Sequence, residues 1–235
     1  MSLPRLRLED CILKDGRWLI DEKQAHHLIR VRRCYTGSAV EGLLSGERLQ
    51  LRLLCEDGLV FAEELSRTKD EGPSIMLHLI LALLKNDQFD ESLRFAAETG
   101  VYAIHLLSCE RSVPKYSGAR LQDKMSRWTK ILDESTKQAG SASPPKIYAP
   151  TGLAELDLTL IPECRFAALL SPDAEPLSGI ELKETAAFAI GPEGDWSPSE
   201  TKLLSEKGFR PVSLGKRILR ASTAVAVACG WFSLN

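Results

Sequence analysis

Phe188-Ala189-Ile190-Gly191-Pro192-Glu193-Gly194-Asp195-Trp196-Ser197-Pro198-Ser199-Glu200 is the stretch on which the fold turns. An apolar run breaks into a Gly-Pro-Glu-Gly turn and restarts with helix signals. The two glycines let backbone approach a ligand closely, and Pro192 stiffens the turn between them. Ser197, with Pro198 at the first helical position and Glu200 at the third, forms a capping box that fixes where the loop ends. Strand, tight loop and helix make the unit of a parallel α/β sheet, in which ligand sites cluster just beyond the carboxyl ends of the strands. The same pattern also describes a plain, well-made strand-to-helix turn.

Toward the C-terminus a second segment has the same character. Val212-Ser213-Leu214-Gly215-Lys216-Arg217-Ile218-Leu219-Arg220 leaves a short apolar run and leads into the small-residue helix that follows Ser222 and Thr223. Gly215 again permits close approach, while Lys216, Arg217 and Arg220 place cations on one short loop, suited to an anionic partner such as RNA phosphate. Neither loop carries G-x-G-x-x-G, a Walker GK[ST] or G-x-S-x-G, so dinucleotide, nucleoside-triphosphate and serine-hydrolase chemistries have no motif here.

Toward the N-terminus, Ile75 to Leu84 is a nearly continuous apolar run and Asp87 to Thr99 an amphipathic helix stopped by Gly100. Further strands are expected at Ala103–Leu107, Phe166–Leu170, Ala186–Ile190 and Pro211–Leu214. Helices are expected near Leu121–Gln138, Pro198–Lys207 and Ser222–Phe232. Such alternation implies a parallel α/β sheet. The polar stretch Ser66–Pro73 lacks apolar periodicity and ends in Gly-Pro, which places a domain boundary there.

Before that boundary the chain changes style. Short alternating segments are punctuated by Asp15-Gly16, Thr36-Gly37-Ser38, Ser45-Gly46-Glu47 and Glu56-Asp57-Gly58, the spacing of a small β-barrel or sandwich. One helix interrupts it, capped by Asp21 and carrying His26, His27, Arg30, Arg32 and Arg33 near its end. This basic run is a local concentration that the net charge of -2 conceals; it reads either as a nucleic-acid grip or as a solvated face.

The apolar fraction of 44% and charged fraction of 26% are those of an ordinary globular protein. Charges near the start, where a signal peptide needs an apolar core, and the lack of a long apolar run point to a cytosolic protein without a membrane span. The six cysteines include no CxxC pair, so neither a zinc site nor a disulfide framework is expected.

Taken together, the two glycine-containing loops resemble the cofactor loops of the SPOUT superfamily of RNA methyltransferases. The match is fullest with the bacterial 16S ribosomal RNA uridine-N3 methyltransferases (the RsmE family). It extends through His26-His27-Leu28-Ile29-Arg30-Val31-Arg32-Arg33, Leu83-Leu84-Lys85, Glu98-Thr99-Gly100-Val101, Glu110-Arg111-Ser112 and Arg127-Trp128. The resemblance implies a PUA-like, RNA-binding β-barrel over residues 1–70. Over 73–235 it implies an α/β domain, a trefoil-knotted parallel sheet of SPOUT type that binds S-adenosylmethionine and pairs into a homodimer.

By the same resemblance Leu170, Gly191, Gly194, Leu214, Gly215, Ile218 and Leu219 line the cofactor pocket, and His27, Arg30, Arg32 and Arg33 hold RNA. The substrate implied is 16S ribosomal RNA or the small ribosomal subunit. Three positions depart from the family pattern: Phe95 stands in place of a common lysine, Ser141 of an arginine and Ser222 of a glutamate.

Methyl transfer to uridine N3 needs the N3 proton removed or the resulting anion stabilised. Arginine is no base at neutral pH, so Arg220 or Arg217 is assigned to stabilising charge on the uracil carbonyls. Ribose 2′-O-methylation by another SPOUT enzyme, and a non-catalytic RNA-binding protein keeping the fold, are the alternatives. No metal is expected.

Overall fold

In the computed structural model, which describes residues 3–234, the chain divides into two compact units: 1–72 with 136–143, and 73–135 with 144–235. Residues 136–143, at the end of a long helix, cluster with the N-terminal segment.

The first unit is a six-stranded mixed sheet curled into a half-barrel. Its strands are β1 (Arg5–Arg7), β2 (Ile12–Lys14), β3 (Arg17–Leu19), β4 (Ala39–Leu44), β5 (Glu47–Glu56) and β6 (Leu59–Lys69), in the order β1-β4-β5-β6-β3-β2. Among the described residues of this unit, only β1 and β4 pair in parallel. The turns named by sequence have the backbone they need: Asp15-Gly16 and Asp57-Gly58 both adopt positive φ, the conformation of two-residue hairpin turns. Alternate residues Leu49, Leu51 and Leu53 of β5 point into a core with Leu6, Leu8, Trp18, Val40 and Ala62, while Gln50 and Arg52 face out.

β6 runs further than expected. Ser66 to Lys69 is strand, not a polar linker, and pairs with Glu47–Gln50 beyond a bulge. Its polarity reflects exposure: Arg67 pairs with Glu47 and Glu64 at 2.8 and 2.9 Å across the outer surface. The helix after Asp21 is α1 (Glu22–His26), continued by a π-helical turn over His27–Val31; the Asp21 carboxylate accepts the Gln24 N–H at 3.1 Å.

The second unit is a seven-stranded, wholly parallel sheet. Its strands are β7 (Met76–Ala82), β8 (Ala103–Leu107), β9 (Lys146–Thr151), β10 (Arg165–Ala168), β11 (Glu175–Pro176), β12 (Thr185–Ile190) and β13 (Arg210–Ser213), in the order β11-β13-β10-β12-β7-β8-β9. The chain winds one way from β7 through β9, then crosses to the other side of β7, where it lays down β10 and inserts β12 between β10 and β7. The strand order therefore reverses between β7 and β12.

Among the described residues the further α-helices are α2 (Asn86–Glu98), α3 (Gly118–Ala139), α4 (Pro198–Glu206) and α5 (Ala221–Leu234). Leu77, Leu79 and Leu81 of β7 meet Phe89, Leu93, Trp128, Leu132 and Phe232 on one face of the sheet. Ile80 and Ala82 meet Trp196, Leu204 and Phe209 on the other. Both faces are covered, so the strands read as continuous apolar runs. α2 ends where Gly100 was expected to end it: Gly100 has φ 77°, and the Gly100 and Val101 N–H groups return to Ala97 O and Ala96 O, a Schellman closure.

Candidate functional site

Three neighbouring parallel strands, β13, β10 and β12, stop at Ser213, Ala168 and Ile190. The loops leaving them surround a cleft of about 400 Å³ lined by Ala168–Leu170, Ile190–Glu193, Asp195, Val212–Gly215, Arg217–Ala221 and Ala224, with Gln88 of α2 reaching in. It lies beside the strand-order reversal, the region where α/β sheets place their ligands, and its size suits a small-molecule cofactor.

The loop after β12 is rigid for identifiable reasons. Asp195 adopts φ 60°, its N–H returns to Pro192 O at 2.9 Å and its carboxylate accepts the Trp196 N–H at 2.8 Å. The buried Trp196 indole donates to Ala168 O at 3.2 Å and so joins the loop to the end of β10. A Cβ on Gly191 would stand 2.9 Å from that indole. Packing therefore requires glycine there.

The exit of the loop is a complete capping box. Ser197 Oγ accepts the Glu200 N–H at 3.2 Å and Glu200 Oε2 accepts the Ser197 N–H at 2.9 Å. The other oxygen of buried Glu200 accepts the Glu110 N–H at 2.9 Å, tying the segment after β8 to the same loop. Ser199 donates to Glu110 at 2.7 Å, and this bond lowers the carboxyl pKa of Glu110.

Leu170, Gly191, Leu214, Gly215, Ile218 and Leu219 line the cleft, as do Arg217 and Arg220. Gly194 does not. It is packed against Arg111, whose Cβ lies 3.1 Å from where a Gly194 Cβ would be and whose guanidinium donates to Gly194 O and Trp196 O at 3.0 and 3.2 Å. Its small size therefore serves the loop's support. Gln88, Glu193 and Asp195 line the cleft without having been singled out by sequence. The clue for Glu193 was its place between the glycines; it accepts the Lys85 N–H at 2.8 Å at the start of α2. Gln88 lies on a distant helix that only the fold brings near.

The loop after β13 is open. Ile218 is 82% exposed and Leu170, after β10, 66%, while Lys216, Arg217 and Arg220 are exposed and make no ion pair among the described residues. Uncovered apolar side chains beside unpaired cations make a lip that a ligand with flat and anionic parts can cover. Gly215 has φ 120°, a conformation that side chains rarely adopt.

In the other unit, His27, Arg30, Arg32 and Arg33 are all exposed, the three arginines make no ion pair among the described residues, and Arg33 takes φ 56°. The cysteines are all free. Burial pushes the Cys109 thiol far up and that of Cys229 to about 12, which makes them poor nucleophiles. Of the three positions singled out as departures by the sequence resemblance, Phe95 packs against the core and Ser222 is buried.

Residues 70–233 match the family model of an RNA methyltransferase domain. The chain is 35% identical, over 87% of its length and 69% of the relative's, to Ribosomal RNA small subunit methyltransferase E of Synechocystis. It is 30% identical to Ribosomal RNA small subunit methyltransferase E 2 of Borreliella burgdorferi, over 95% of this chain and 93% of that one. A crystal structure of ribosomal RNA small subunit methyltransferase E from Neisseria gonorrhoeae bound to S-adenosyl methionine superposes with a TM-score of 0.86 at 27% identity, covering 99% of this chain and 98% of that one. A Legionella pneumophila protein in complex with S-adenosylmethionine has a TM-score of 0.85 at 22% identity, covering 100% and 98%, and supports the fold.

Proposed function

This chain belongs to the RNA methyltransferase family that includes the ribosomal RNA small subunit methyltransferases E, and we propose that it transfers a methyl group from S-adenosylmethionine to N3 of a uridine in 16S ribosomal RNA. Its fold class is the SPOUT type, a trefoil-knotted parallel sheet preceded by a PUA-like β-barrel. The observation that carries the proposal is the cleft at the ends of β13, β10 and β12, with cations on its lip.

The cleft fits the cofactor's chemistry. Leu170, Leu214, Ile218 and Leu219 offer an apolar slot to adenine, backbone near Gly191 and Gly215 offers fixed donors and acceptors, and the carboxylates of Glu193 and Asp195 favour cationic ends. When bound, S-adenosylmethionine supplies an electrophilic methyl group on positively charged sulfur.

The chain's own part is to make uridine N3 nucleophilic and to aim it. N3 lies on the Watson-Crick edge, so the nucleotide must be unpaired or flipped out to enter. As the N3 proton passes to solvent water, negative charge spreads over the uracil carbonyls. Arg220 holds that charge at the cleft wall, with Arg217 beside it as a second donor. His27, Arg30, Arg32 and Arg33 of the barrel unit grip RNA phosphates. The enzyme works in the cytosol as a homodimer through its knotted domains, a reading supported by the exposed apolar Val227 and Leu234 on α5.

Isothermal calorimetry with S-adenosylmethionine tests the core of this reading. Saturable one-site binding is expected; a folded chain that takes up no cofactor would exclude the enzyme and leave an RNA-binding role.

A further inference from the structure

Beside the cofactor cleft lies a second cavity of about 440 Å³, lined by Lys85, Val113, Pro114, Lys115, Tyr116 and Arg120. We propose that it binds phosphodiester groups of the RNA strand flanking the nucleotide to be methylated. The substrate class is taken from the reading above; the cavity itself is argued from its own residues.

Its charge is one-sided. Lys85, Lys115 and Arg120 are exposed and none makes an ion pair among the described residues. Arg120 and Lys124, one helical turn apart on α3, both stand over the Tyr116 ring, at 5.4 and 5.3 Å from its centroid. The ring is itself set edge-on against the buried Trp128, 5.7 Å away at 70°. A fixed aromatic thus gathers cations that would otherwise spread apart, a cost offset when a polyanion enters. A single free phosphate would use one corner of so large a space, whereas successive phosphates can meet Lys85, Lys115 and Arg120 in turn. The exposed Val113 offers an apolar contact to a sugar or base.

The position also fits. Lys85 lines the second cavity, and its N–H is held by Glu193, a wall residue of the cofactor cleft. Arg111, two residues before Val113, holds the Gly194 and Trp196 carbonyls of the cofactor loop. A strand crossing the second cavity therefore arrives at the cleft.

The test uses the full chain and a short labelled single-stranded RNA, with fluorescence anisotropy over a range of KCl concentrations and calorimetry with S-adenosylmethionine in parallel. Replacing two cations in Lys115→Gln/Arg120→Gln should raise the RNA Kd roughly tenfold and reduce the slope of log Kd against log salt by about 1.4. Cofactor affinity should stay unchanged, and circular dichroism checks the fold. An unchanged RNA affinity and salt slope would overturn the proposal. So would an equal loss of cofactor affinity, which would make these residues supports of the cleft. Inorganic phosphate should compete only at concentrations far above that of the RNA; competition at concentrations comparable with the RNA would assign the cavity to free phosphate and overturn the RNA site. Wild-type chain that binds RNA with this salt dependence but no cofactor would sink the methyltransferase reading while leaving the cavity's assignment in place.

Discussion

In the proposed mechanism, Arg220 is the residue on which the chemistry depends most. It lines the cleft, carries no counter-ion among the described residues, and its carbonyl accepts the Ala224 N–H at 2.8 Å where α5 begins. Its backbone is anchored while its guanidinium is free to meet substrate. Arg220→Ala should lower kcat by about a hundredfold, the scale of losing one charge-stabilising donor, with cofactor affinity unchanged by calorimetry. Equal losses in both would make Arg220 a cofactor or structural residue. Gly191 tests the opposite kind of contribution. Gly191→Ala drives a methyl into the Trp196 indole, an overpacking that should cost about 1–3 kcal/mol and weaken cofactor binding, read as a lower Tm together with a raised Kd. Normal melting and normal binding would show that the loop yields at no cost. Both residues were legible in the sequence, one as a cation on a glycine loop and the other as a turn glycine. The indole that demands Gly191 was not, because the contact appears only once the loop closes.

At the scale of elements, local signals carried most of the site. Asp21, Gly100 and the Ser197–Glu200 box announced helix ends through hydrogen bonds that the structure contains. Ser197→Ala removes one side of that box and should lower unfolding free energy by about 1 kcal/mol, measured by urea denaturation; a change within error would mean that Glu200 alone holds the loop. Elements whose ends depend on partners were harder to see. β9 contains Pro150, follows Pro144-Pro145 and has no clean alternation, and proline is tolerated there because β9 is an edge strand. β11 is two residues long and exists by pairing with β13. The outer end of β6 is polar because it is exposed, which a hydrophobic pattern reads as linker. Gly194 looked like its neighbour Gly191, yet Arg111, distant in sequence, claims it.

For the molecule as a whole, alternating strands and helices foretold the parallel sheet, while the strand order came only from structure, since nothing local in β12 says that it inserts between β7 and β10. That insertion places the reversal beside the cleft and brings two loops, one bearing cations and the other carboxylates, to the same cleft. The central claim is that this convergence methylates uridine N3. Incubating the purified chain with undermethylated small ribosomal subunits and S-adenosylmethionine, then reading the 16S RNA by primer extension, tests it most directly, because an N3 methyl blocks base pairing and stops reverse transcriptase. A new stop at one uridine is expected, dependent on cofactor and lost with Arg220→Ala; methyl transfer to RNA without such a stop, or found on ribose, would contradict uridine-N3 methylation.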